Sequence, residues 1–159
     1  MKAASLHEVK KELMELAPEK VLELCLRLTK YKKENKELLT YLLFESHDEG
    51  SYKENLKAEI DEHFEALNMD NLYYAKKGMR KILRIANKFI RYSGQKQTEV
   101  EVLIYFCTKI KKTEIRLQDS VALMNLYQGQ LKKINKTLGA LHEDLQYDYR
   151  QELEQLLID

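Results

Sequence analysis

Apolar residues recur at steps of three and four positions along almost the whole chain, and this spacing constrains the fold more than any other feature of the sequence. Residues three and four apart lie on one face of an α-helix, so each such stripe predicts an amphipathic helix. The 159 residues include only five glycines and one proline, the residues that interrupt helices most strongly. The sequence therefore predicts an all-α protein.

The stripes predict six to eight amphipathic helices, with short loops that favour antiparallel neighbours. No stretch rich in Pro, Gly or Ser divides the chain, so a single helical domain over residues 1–159 is expected. Helices two and three can also be continuous, because the boundary near Tyr31 is weakly marked. The expected helices cover residues 5–16, 18–31, 33 to about 45, 51–67, 71–92, 98–110 and 115–157.

We expect a capping box at three helix starts, where a Ser or Thr hydroxyl and the carboxylate of a Glu three positions later satisfy backbone N–H groups. The three boxes begin at Ser5, Ser51 and Thr98. Their separations of 46 and 47 residues are close to the repeat of about 40–47 residues in armadillo and HEAT proteins. The residues between them do not align, so an irregular bundle is expected first and a short α-α superhelix of the armadillo or HEAT kind second.

Two segments allow more than one interpretation. Residues 98–110 alternate like a strand, but the intervening Leu103 and Tyr105 are apolar too, so we expect a central helix buried on most of its circumference. Residues 115–157 form one long helix or a helix pair, and the preferred break is Leu138-Gly139-Ala140. An uninterrupted stripe longer than the domain can cover would pair with a second copy of the chain.

The sequence carries no catalytic or cofactor signature. Its glycines are too scattered for a phosphate-binding loop, and no histidine follows an acid by three positions, as in helical metal sites. His63 follows Glu59 by four positions, which favours a partly buried histidine with a glutamate partner over a metal ligand. Cys25 and Cys107 lie in apolar runs and are expected to be packed, reduced thiols. We therefore expect a protein that is not an enzyme and that needs no metal or cofactor.

Targeting signals are also missing from the sequence. The N-terminus runs directly into charged residues, and the longest apolar run, residues 102–107, is far shorter than the roughly 20 residues that span a bilayer. We expect a cytoplasmic protein without a membrane span.

Charge is strongly segregated, although the formal net charge is only +1. Residues 71–98 hold eight basic and no acidic residues, residues 45–70 have a net charge of −7, and residues 141–159 have a net charge of −5. The fifth helix is therefore a basic amphipathic helix. Six of its cations share the face opposite the apolar stripe: Lys77, Arg80, Lys81, Arg84, Lys88 and Arg91.

The basic face has two kinds of explanation. The acidic fourth helix and the acidic tail can neutralise it within the molecule, or the face can bind a partner. Because no catalytic pattern is present, we expect a helical protein-interaction or scaffold module that binds a protein partner or a second copy of itself. The alternative is a nucleic-acid-binding protein that uses the basic helix 71–93, with Tyr73, Tyr74 and Tyr92 available for stacking.

Overall fold

The computed structural model describes residues 2–157, so Asp159 of the acidic tail lies outside the described part. Eight α-helices and no strand occur within residues 2–157, which confirms the all-α class and the predicted number of helices. A π-helical turn, Tyr41–Glu45, and a 3₁₀ turn, Leu117–Asp119, complete the elements. The helices are α1 Leu6–Met14, α2 Pro18–Tyr31, α3 Lys33–Thr40, α4 Glu49–Glu65, α5 Leu72–Ser93, α6 Lys96–Lys111, α7 Val121–Leu138 and α8 Glu143–Glu154.

The ends of several helices follow from local sequence. At α1 the Ser5 hydroxyl accepts the Glu8 N–H and the Glu8 carboxylate accepts the Ser5 N–H, which confirms the first capping box. Pro18 occupies the first position of α2, where its missing N–H would have no intrahelical partner. Lys32 is extended and separates α2 from α3, and Gly94 ends α5 with a left-handed φ of 67°. A residue without a Cβ adopts that conformation at little cost.

The other two predicted capping boxes are wrong. Asp48, not Ser51, caps α4, because its carboxylate accepts both the backbone N–H and the hydroxyl of Ser51. Thr98 lies inside α6 and is buried, with its hydroxyl donating to Glu49 of α4. Only one of the three predicted helix starts is therefore correct, and the regular spacing that favoured an armadillo or HEAT repeat is no longer supported.

The sequence also predicts Asp70 as the N-cap of α5, and this prediction is wrong by one position. Asn71, not Asp70, precedes the helix, and its side-chain oxygen accepts the N–H groups of Tyr73 and Tyr74. The short polar loop before α5 offers two adjacent residues able to cap, and the backbone places the second of them at the helix start.

The chain divides into two compact units, an N-terminal unit that ends at Phe44 and a C-terminal unit that begins at Glu45. In the N-terminal unit α2 packs against α3. No residue of α1, α2 or α3 is buried, although each helix carries the predicted apolar stripe. Tyr41, in the turn after α3, is the one buried residue among residues 2–44, so this unit has no cluster of buried side chains of its own.

The C-terminal unit contains the hydrophobic core, and α6 lies at its centre. Helices α4, α5, α7 and α8 all pack against α6. Eight of its sixteen residues are buried, which confirms a central helix rather than a strand. The aromatic rings of Phe64 on α4 and Phe106 on α6 meet with centroids 5.8 Å apart. The fully buried side chains of this unit include Ile60, Met79, Leu103, Phe106, Tyr127, Ile134 and Leu138.

The C-terminal stripe forms two helices. Gly139 follows the last residue of α7, and α8 begins at Glu143, which confirms the preferred break. The stripe is buried or half-buried from Leu123 to Leu156, and the Tyr127 hydroxyl donates to the carbonyl of Leu156. The C-terminal stripe is therefore covered within the C-terminal unit, and it does not offer the long exposed surface that would pair with a second copy.

Candidate functional site

The basic face of α5, defined by Lys77, Arg80, Lys81, Arg84, Lys88 and Arg91, is directed away from the core. The buried residues of α5 are spaced three and four apart and pack into the C-terminal unit, so the cations occupy the opposite side of the helix. The buried residues are Ala75, Met79, Ile82, Ala86 and Ile90.

Five of the six cations are exposed, and none of the five forms an ion pair within residues 2–157. Lys88 differs, because it is half-buried and its ammonium lies 4.6 Å from the centroid of the Phe89 ring. The exposed set is Lys77, Arg80, Lys81, Arg84 and Arg91.

Two acids of α4, Asp61 and Glu54, have partners away from this face, although α4 packs against α5. The Asp61 carboxylate lies 2.8 Å from the Lys109 ammonium and accepts the Tyr105 hydroxyl at 2.7 Å, and both partners belong to α6. Glu54 pairs with Lys57 within α4 itself. Glu49, at the start of α4, accepts the hydroxyl of Ser93 at the end of α5 and that of Thr98 on α6.

Two tyrosines extend the basic face at its N-terminal end. Tyr73 and Tyr74 are 63% and 55% exposed, and their rings meet edge to face with centroids 5.4 Å apart. Lys77 follows them by four and three positions, which places the tyrosines and this cation on one side of the helix. Tyr92, the third predicted stacking residue, is half-buried and meets the Phe89 ring edge to face.

A second polar cluster connects α4, α6 and α8 around Glu101. One carboxylate oxygen of Glu101 accepts from the Lys53 ammonium at 2.8 Å, from the Gln97 amide at 3.0 Å and from the Tyr149 hydroxyl. Burial disfavours the charge on Glu101, but these three donors hold its pKa below the ordinary value. A satisfied network of this kind fixes the three helices relative to one another.

Tyr149 and Tyr105 line an open polar groove of about 450 Å³ beside this cluster. Burial and the neighbouring Asp61 carboxylate raise the pKa of Tyr105 to about 12, and burial with Glu101 raises the pKa of Tyr149. Both phenols therefore stay protonated near neutral pH and act as hydrogen-bond donors rather than bases.

The remaining reactive side chains have ordinary surroundings. His63 lies 3.9 Å from Glu59 and is partly exposed, as the sequence predicts. Burial raises the pKa of the Cys107 thiol to about 12, and neither cysteine is in a disulfide. Across residues 2–157, His, Cys, Asp and Glu side chains do not gather in threes that could hold a metal ion.

The N-terminal unit carries two open apolar grooves that sequence reasoning missed. A groove of about 650 Å³ lies between α1 and α2, and a second of about 280 Å³ lies between α2 and α3. Leu28, which is 62% exposed, lines both. The stripes of α1 to α3 resemble those of the C-terminal unit in the sequence, so no local signal separates the covered stripes from the uncovered ones.

Comparison with known proteins gives no relative: no family model, curated protein or solved structure matches this chain. The helices that the structure describes include none that is long and apolar enough to cross a membrane. Inferences about function therefore rest on the surfaces of the molecule.

Proposed function

We propose that the protein is a non-catalytic helical interaction or scaffold module, and that its N-terminal unit binds the same unit of a second copy of the chain. The observation that carries this proposal is the absence of buried residues in α1 to α3 beside their many exposed apolar side chains. Contiguous exposed apolar surface of this kind usually marks an interaction site.

Leu28 is the centre of the proposed contact surface. It lies at the border of the two apolar grooves, with Val9 and Leu13 of α1 on one side and Leu38 and Leu39 of α3 on the other. Burying a leucine side chain stabilises a contact by about 1.5–3 kcal/mol, so several such residues can support a specific interface.

A second copy is the occupant that size and charge favour. The N-terminal unit is near the length of about 40 residues below which small folds usually need oligomerisation or another constraint. Residues 2–44 contain nine basic and seven acidic residues, interspersed along all three helices, so two copies can approach without strong repulsion. A two-fold contact would place the grooves of both copies against each other.

Within this proposal the helices of the C-terminal unit form an irregular bundle with antiparallel neighbours, and the protein acts in the cytoplasm. The short loop between α4 and α5 supports the first point, because short connections join antiparallel helices. The two free thiols support the second, since reduced cysteines are usual in that compartment.

Light scattering coupled to size-exclusion chromatography tests the proposal over a range of concentrations. The wild-type chain should pass from monomer to dimer, and Leu28→Glu should weaken the dimer at least tenfold because it places a charge in the apolar contact. The matched control is Val121→Glu, since Val121 is 77% exposed at the start of α7 in the C-terminal unit. Circular dichroism verifies that both variants remain helical.

A monomeric mass at every concentration would contradict the proposal. So would dimers that Leu28→Glu and Val121→Glu weaken equally, because the contact would then lie outside the two grooves.

A further inference from the structure

The geometry points to a second binding site: the basic face of α5 binds single-stranded nucleic acid, with phosphates on its exposed cations and bases stacked on Tyr73 and Tyr74. This site belongs to the C-terminal unit and does not depend on self-association of the N-terminal unit. The two proposals can therefore fail separately.

The cations are spaced along a distance that suits several nucleotides. Lys77 and Arg91 are fourteen positions apart on one helix, which corresponds to about 21 Å at a rise of about 1.5 Å per residue. Arg80, Lys81 and Arg84 lie between them on the same face. Single strands typically bind along grooves or surfaces that cover about four or more nucleotides.

The exposed cations of this face are available to an external anion. Since none of the five has an ion-pair partner among the described residues, a phosphate would replace only water and counterions. Release of counterions from the nucleic acid then drives binding. The α4 carboxylate of Asp61 forms its ion pair with Lys109 of α6 and not with a cation of α5.

The two tyrosines indicate a single strand rather than a duplex. Exposed aromatic rings beside a row of cations are the usual combination in proteins that bind single strands, because every base has a face that stacks. The bases of a duplex already stack on one another and would gain little from Tyr73 and Tyr74.

Membrane binding by α5 is less compatible with the packing. Helices that lie in a membrane surface insert their apolar face between lipids. The apolar face of α5 is in the core of the C-terminal unit, where Met79 and Ile82 are at most 2% exposed. Only the charged side of α5 would reach the lipid surface.

Fluorescence anisotropy with a labelled thymidine oligonucleotide of about 12 nucleotides tests the site. If four or five phosphates are contacted, affinity should fall about 50- to 130-fold between about 50 mM and about 200 mM salt. The experiment uses the full chain at concentrations verified by light scattering, so that its oligomeric state is the same throughout.

The variant Arg80→Ala/Lys81→Ala/Arg84→Ala removes three of the proposed phosphate contacts. Its affinity at low salt should be lower, and the loss of affinity between the two salt concentrations should shrink to less than about tenfold. Stability should be unchanged, since all three side chains are exposed and unpaired within the described chain.

A matched control removes the same charge from elsewhere in the C-terminal unit. Arg116→Ala/Lys132→Ala/Lys136→Ala replaces three exposed cations that also form no ion pair among residues 2–157. This variant should bind with an affinity close to that of the wild-type protein and with the same salt dependence.

Tyr73→Ser/Tyr74→Ser tests the stacking contacts. Loss of base stacking should lower the affinity about fivefold or more, while the salt dependence remains that of the wild type. Binding of an anionic vesicle or of polyglutamate should not respond to this change.

Three results would overturn the inference. The first is the absence of binding at low salt, and the second is an equal loss of affinity in the Arg80 variant and the Arg116 control. The third is equal affinity for the oligonucleotide, its duplex, polyglutamate and anionic vesicles, which would make the face a general anion-binding surface.

Discussion

The N-terminal and C-terminal units are built from the same kind of amphipathic helix, yet within residues 2–157 only the C-terminal unit contains a cluster of buried side chains. Helices α1 to α3 bury no residue, whereas α6 alone buries eight. The difference arises because four other helices pack around α6 and cover its apolar side chains. Periodicity therefore predicts which face of a helix is apolar, and tertiary neighbours decide whether that face becomes a core or a surface.

The largest expected difference between the units concerns two phenylalanines. Phe106→Ala should lower the free energy of unfolding by about 3–5 kcal/mol, since Phe106 is fully buried and its loss leaves a cavity. Phe44→Ala should change it by less than about 0.5 kcal/mol, because Phe44 is 68% exposed. Urea unfolding followed by circular dichroism measures both. Similar losses in the two variants would remove the distinction between the units.

The Glu101 cluster should make the stability of the C-terminal unit depend on acidic pH. The folded pKa of Glu101 lies below its ordinary value of 4.5, so its charge stabilises the fold above that pH. This contribution is lost as the pH falls from 4.5 through the folded pKa. Glu101→Gln should therefore lower the free energy of unfolding at pH 7 by about 1.5–3 kcal/mol, and the difference should shrink in acid.

Urea unfolding at several pH values measures this effect. Tyr147→Phe is a suitable control, since Tyr147 is on α8 near Tyr149 but is 67% exposed. A difference between Glu101→Gln and the wild type that stays constant from pH 7 into acid would contradict the assignment.

The smallest expected effect compares two serine N-caps. Ser120 is buried before α7 and accepts the Leu123 N–H, so Ser120→Ala should lower the free energy of unfolding by about 1 kcal/mol. Ser5→Ala removes the exposed capping box of α1 and should reduce helix content while changing the unfolding of the C-terminal unit by less than about 0.5 kcal/mol. Equal shifts in the urea midpoint for both variants would show that the two units unfold together.

Much of the helical pattern is predictable because its signals are local. The bounds of α2 match the prediction at both ends, since Pro18 starts the helix and the extended backbone of Lys32 ends it. Gly94 ends α5 with a left-handed φ, whereas Gly139 follows α7 with an ordinary right-handed backbone. The capping boxes at Ser51 and Thr98 fail because those hydroxyls have stronger partners, Asp48 and Glu49, one of which is distant in sequence.

The candidate site is also predictable only as far as local helical spacing determines it. The basic face of α5 is predictable, because helical spacing alone places Arg80 and Arg84 opposite the core. Whether acids of α4 neutralise it is not predictable, because that depends on the rotation of α4 about its axis. The structure turns Asp61 toward Lys109 on α6 and leaves five cations of α5 exposed.

Hydrogen–deuterium exchange of the full chain at low and high concentration tests whether α1 to α3 become covered only when the chain dimerises. We predict that amides of α6 are protected at both concentrations, whereas those of α1 to α3 exchange rapidly in dilute protein and become protected as the chain dimerises. Protection of α1 to α3 equal to that of α6 in dilute protein would contradict the account. Rapid exchange of α1 to α3 at high concentration would contradict it equally.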